Sequence, residues 1–165
     1  MAEQWKAENT PPINRNLSGV AGSVTGGSSS KLGKNLNEAM GRKRADSWQG
    51  YQAQHLIPSE LRNHPILKIV GIDLDHESNG IFLPSTRNKP VGMISGKPRH
   101  TGSHPSYTNA VRQELNCMDR MLPIDQLEVQ VYKLQSKLRH ITETGMPVRN
   151  VDCVKTEVWA RWLKK

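Results

Sequence analysis

From Leu127 to Ile141 the apolar residues Leu127, Val131, Leu134, Leu138 and Ile141 return at steps of four, three, four and three. Such steps put side chains on one side of an α-helix, so this stretch has a face made for burial. Asp125 stands where it can cap the start and Gly145 where it can close the end. A short helix is expected over Pro65 to Val70, with proline first and Gly71 just past its end. Leu32, Leu36 and Met40 also recur at helical spacing, stopped by Gly41. Pro105 suits the first position of a helix to about Met118, with Ala110, Val111, Leu115 and Met118 facing inward. Asp152 can cap a last helix bearing Val154, Val158 and Trp162. Two segments read as strands. Trp48 to Ile57 alternates weakly and is stopped by Pro58; Ile81-Phe82-Leu83 is stopped by Pro84.

The chain has 165 residues, enough for one domain and an arm. Residues 1–30 read as that arm: Thr10-Pro11-Pro12 breaks structure, and Gly19 to Ser30 is nearly all Gly, Ser, Val, Thr and Ala. Such a stretch buries too little apolar surface to offset its ordering entropy. Trp5 has the means to dock locally. Cys117 and Cys153 form no CxxC pair and no disulfide framework, and are expected as free core thiols. No apolar run approaches the length of a membrane span. The start, MAEQWKAENTPP, does not read as a signal peptide. The expected location is therefore the cytoplasm of the producing cell, or export by a route that reads no such peptide.

The net charge is +8, which suits a polyanionic partner as well as a merely solvated basic surface. Its distribution is more telling. From Ser78 to Gln113 there is no acidic residue, while Arg87, Lys89, Lys97, Arg99 and Arg112 all fall there. One Phe and three Tyr leave little for stacking on bases. Histidines gather around the acid-free stretch: His55 at the end of the first strand, then His100 and His104 before the Pro105 helix, with Asn79 opening the second strand. Phosphodiester hydrolysis needs a base for water and a cation against the phosphate, both held in place. His55 is the candidate base. Asn79 is placed either to pin the loop that carries His55 or to face a metal. Each residue also has a plainer explanation: a satisfied core histidine for His55, a helix cap for His104, a phosphate contact for His100 beside Arg99, and a turn before Gly80 for Asn79. His64, His76 and His140 are expected on the surface. Asp73 and Asp75 fail as a calcium loop, since the sixth position is Ser78 and the twelfth Pro84. Gly92 to Lys97 lacks the spacing of a Walker phosphate loop.

Three ordered blocks make the pattern specific: Ala53-Gln54-His55-Leu56-Ile57-Pro58, Asn79-Gly80-Ile81-Phe82-Leu83-Pro84, and His100-Thr101-Gly102-Ser103-His104-Pro105-Ser106-Tyr107. Together with Leu32-Gly33-Lys34-Asn35-Leu36 upstream, the chain resembles nucleases of the HNH/endonuclease VII superfamily, in the branch named for an Ala-His-His motif. The resemblance covers roughly residues 31 to 120. It implies an α+β fold, mostly helical, in which a ββα-metal (His-Me finger) core spans residues 31–120 and helices 121–165 pack against it. It also implies a metal-dependent endonuclease acting on DNA, with His55 and Asn79 as catalytic residues. Gln54, His100 and His104 would be metal ligands, and Arg87, Lys97, Arg99 and Tyr107 would contact DNA. The cofactor would be a divalent ion, Mg²⁺ first, with Mn²⁺, Ni²⁺ or Zn²⁺ as alternatives. Many such domains are antibacterial toxins delivered by secretion systems. The implied partners are an acidic immunity protein and an upstream delivery domain or secretion machinery, with action in the target-cell cytoplasm.

Gln54 departs from the pattern, which has histidine there. An amide oxygen is a weaker ligand than imidazole, though it suits a hard cation. Three readings stay open: a natural ligand variant, an inactivating substitution, or the mark of a degenerate enzyme. The last leads to a rival from another class, a non-catalytic DNA-binding or structural metal module.

Overall fold

The computed structural model describes residues 16–85, 105–144 and 156–165. They form four short strands and five α-helices: β1 (Val24–Thr25), α1 (Ser29–Ala39), β2 (Tyr51–His55), α2 (Pro65–Val70), β3 (Ile72–Asp73), β4 (Gly80–Pro84), α3 (Pro105–Asn116), α4 (Ile124–Glu143) and α5 (Thr156–Leu163). The fold is α+β and mostly helical. The order β2, β4, α3 is the strand, strand, helix sequence of the expected core.

β2 and β4 pair antiparallel, with Ala53 opposite Phe82, Gln54 opposite Ile81 and His55 opposite Gly80. Alternation gives the two faces of this pair different neighbours. Ala53 and Phe82 turn to α1, where they meet Leu32 and Leu36. Ile81 and Leu83 turn to the main core. The approach of α1 is close: a Cβ on Gly80 would stand 2.5 Å from Leu32 Cδ1. Only glycine lets the helix come this near to the strand end that faces His55.

The periodic face of α4 packs as its spacing predicts, with Leu127, Val131, Leu134, Leu138 and Ile141 all buried. Its start differs. The cap position is Pro123, and Asp125 lies in the first turn, where its charge complements the helix dipole rather than capping it. In α5 the inward residues are Trp159 and Leu163, while Trp162 is exposed. The inward face is set by Trp159, whose ring meets that of Tyr107 edge-on at 4.8 Å. Cys117 is free but exposed, not a core thiol; Cys153 lies outside the described residues.

Residues 16–28 depart from the expected flexible arm. Leu17 is buried, and the amides of Asn16 and Leu17 donate to Glu128 Oε1 at 2.7 and 3.3 Å. β1 pairs parallel with β3, Thr25 beside Asp73. Composition counts apolar surface, and this segment is held mainly by backbone hydrogen bonds instead. Among the described residues no helix is long and apolar enough to cross a membrane.

Candidate active site

His55 is the last residue of β2, and the chain beyond it is clamped from two sides. On one side, Leu56 N donates to the Asn79 backbone carbonyl at 2.8 Å. The Asn79 side chain repeats the hold: Oδ1 accepts from Ile57 N at 2.9 Å, and Nδ2 donates to Ile57 O at 3.2 Å and Leu74 O at 3.0 Å. Gln135 of α4 adds a donor to Asn79 Oδ1 at 3.1 Å. On the other side, the Tyr107 hydroxyl donates to Leu56 O. Asn79 is fully buried, and its amide is spent on these bonds. It therefore pins the loop rather than facing a metal.

Tyr107 corrects the expectation of a DNA contact. It is fully buried at the start of α3, and burial pushes its phenol far above the ordinary value of 10.0. It has no surface to offer a phosphate. Its ring packs on Trp159 and its hydroxyl steadies the His55 loop.

The imidazole of His55 is buried but not sealed. Nε2 lies 2.9 Å from Asp75 Oδ1. A carboxylate only accepts, so a neutral ring in this contact would carry its hydrogen on Nε2 and its lone pair on Nδ1. A small cleft of about 110 Å³ opens at this strand end, bordered by Ser29, Gln54, His55, Ser59 and Glu60. Gln54 donates its amide Nε2 to the His55 carbonyl at 3.0 Å. Its oxygen is the group left to accept a donor or meet a cation. Among the described residues no group of three or more His, Cys, Asp or Glu side chains gathers to hold a metal. His100, His104, Arg87, Lys97 and Arg99 lie outside the described residues.

Asp75, Glu60 and Gln135 stand at the candidate site without being expected there from the sequence, where Asp75 enters only as part of a rejected calcium loop. Glu60 borders the cleft from the turn after Pro58. Gln135 sits beside Leu134 on the inward side of α4, 2% exposed. A polar residue inside an apolar stripe is a readable signal. Asp75 carried no such signal, because its partners come from Gly27 and Ser28, 48 and 47 residues away. His64 and His76 have structural work: each caps a short helix through its own ring.

A family model described as a nuclease family of the HNH/endonuclease VII superfamily with conserved AHH matches residues 35–143. The chain belongs to that family. No curated protein and no solved structure matches it significantly. The trio that names the family reads Ala53-Gln54-His55 here, so the middle position offers an amide at the edge of the cleft where the family offers imidazole.

Proposed function

We propose that this AHH nuclease is a metal-dependent endonuclease that hydrolyses DNA phosphodiester bonds, with His55 as the general base. The observation that carries the reading is the placement of His55: a strand-end histidine that borders a cleft and has its Nε2 2.9 Å from Asp75 Oδ1. Nδ1 takes a proton from water as that water attacks phosphorus. Asn79 and Tyr107 keep the strand end from moving as the ring charges. The acid-free stretch from Ser78 to Gln113 admits the polyanion, with Arg87, Lys97 and Arg99 neutralising phosphates.

The divalent ion implied by the family finds only part of its donor set among the described residues. Gln54 supplies a neutral oxygen and Glu60 a carboxylate on the same cleft, and oxygen donors suit Mg²⁺. His100 and His104 would complete the set. When bound, such an ion would polarise the scissile phosphate and stabilise the leaving oxygen.

The biological role we assign is that of an antibacterial toxin, active in the target-cell cytoplasm. A toxic nuclease of charge +8 calls for an acidic immunity protein in its producer, recruited by charge complementarity. Co-purification with an acidic partner checks this; harmless expression of an active enzyme in bacterial cytoplasm would contradict it. Plasmid cleavage with Mg²⁺ or Mn²⁺, abolished by chelator, tests the activity itself. Gln54 favours a second reading, a DNA-binding module that has lost catalysis. That module would retain DNA binding and cut in no metal.

A further inference from the structure

One buried carboxylate beside the site has entered so far only as the acceptor that faces His55 Nε2. Asp75 lies on the turn after β3 and is 3% exposed. Its Oδ1 accepts three hydrogen bonds: His55 Nε2 at 2.9 Å, Gly27 N at 2.8 Å and Ser28 N at 2.9 Å. Its Oδ2 is buried with no partner among the described residues. A carboxylate buried for stability alone would have both oxygens satisfied or give way to an apolar residue. Here every donor converges on the oxygen that faces the imidazole.

The backbone that supplies two of those donors can only be built this way with glycine. Gly26 and Gly27 have φ of +83° and +119°, where side chains are strained. A Cβ on Gly26 would stand 2.7 Å from Asp75 N and 2.9 Å from Asp75 Cγ. The rest of Asp75 is fixed as well. Its N donates to Asp73 Oδ1 at 3.0 Å, and its carbonyl accepts from Asn35 Nδ2 at 2.6 Å. The β1–β3 register sets the loop at this height, with Leu74 N on Thr25 O at 2.9 Å.

We propose that Asp75 is the positioning residue for His55, and that the Gly26-Gly27-Ser28 loop is part of the nuclease site because it aims the Asp75 carboxylate. The pair fixes the ring's rotation and selects the tautomer with hydrogen on Nε2. In the other tautomer, two lone pairs would face each other across 2.9 Å. The selected tautomer leaves Nδ1 as the base, and the positive charge that forms on the ring lies against a carboxylate. Asp75 itself touches no reacting atom. The inference rests on His55 being the base. The loop precedes residues 35–143, the part that matches the family, so this support is supplied from outside the matched region.

Long-range ¹H–¹⁵N NMR of the full chain tests the pairing without relying on activity, with His55 assigned by its loss in His55→Ala. The parent should show hydrogen on Nε2 and a bare Nδ1. Asp75→Asn should mix or reverse the tautomers and lower the cleavage rate by about 10- to 100-fold, the usual cost of removing an orienting partner, with KM for DNA little changed. Gly26→Ala should move the same two ring signals. If that variant does not fold, Gly27→Ala serves. Its Cβ would have room, the nearest atoms being 3.6 Å away, and it strains only the backbone that carries the donor amide. A parent with hydrogen on Nδ1 overturns the proposal. So does a folded Asp75→Asn protein with unchanged tautomer and unchanged rate. A parent with the expected tautomer that cuts no nucleic acid in any metal overturns the nuclease reading instead, and with it the purpose assigned to the pair.

Discussion

Two residues divide the site between them, one by what it lacks and one by what it holds. Gln54 brings an amide to a position where the family has imidazole. Imidazole is the better ligand for later transition metals, whereas an amide oxygen suits a hard cation. Gln54→His should therefore raise cleavage more with Mn²⁺, Ni²⁺ or Zn²⁺ than with Mg²⁺, measured by plasmid nicking across the metal series. Equal gains in every metal would mean that residue 54 does not bind the ion. Asn79 holds the turn after His55 through both ends of its amide. Asn79→Ala would leave buried peptide groups of Ile57 and Leu74 unpartnered, at a cost of about 3 kcal/mol. Denaturant titration should show that loss. A drop in cleavage without a drop in stability would instead give Asn79 a place in the chemistry.

The elements of this fold were unevenly legible from the sequence. Helix α4 was readable residue by residue, because apolar periodicity reports burial directly and all five stripe residues are buried. The two strands were readable but not their ends: β2 covers only Tyr51–His55 of the expected Trp48 to Ile57, and β4 takes in Pro84, opposite Tyr51 at the edge of the pair, instead of stopping before it. The segment 16–28 was not, since its order comes from backbone donors reaching Glu128 and Asp75, and composition carries no trace of such bonds. Helix α5 is present over Thr156–Leu163, with Asp152 and Val154 outside the described residues, and its inward face is turned by one residue from the expected one, because the partner that sets it is Tyr107 of α3. That contact makes Tyr107 the joint between α3, α5 and the strand end. Burial holds its phenol proton well above the ordinary 10.0. The folded state therefore resists an ionisation that the unfolded chain accepts, and stability should fall as pH rises past the ordinary tyrosine value. Tyr107→Phe should lose about 1 kcal/mol at neutral pH for the missing hydrogen bond and flatten that alkaline decline. Thermal melts across alkaline pH would show a decline of unchanged steepness if another group were responsible.

At the scale of the whole molecule, the proposed function joins a basic chain to a polyanion through a single reacting ring. The excess of +8 and the acid-free stretch around the histidines set where DNA should lie. Reversing charge at Arg87, Lys97 and Arg99 together should weaken binding across sequences and flatten its salt dependence by about one phosphate contact per side chain. An unchanged salt slope would remove those side chains from the interface. His55 and Asn79 could be picked out because each sits in an ordered sequence block; Tyr107 was expected on DNA, and Gln135 and Asp75 were not assigned to the site, because the bonds that give them their places join residues 20 to 56 apart. The central claim is that His55 takes the proton from water. Plasmid cleavage by the parent and by His55→Ala, matched for metal and checked for fold by circular dichroism, addresses it most directly. The account predicts that the parent cuts and that the folded variant loses at least about 10²-fold in rate. A folded His55→Ala protein that cuts DNA as fast as its parent would contradict it.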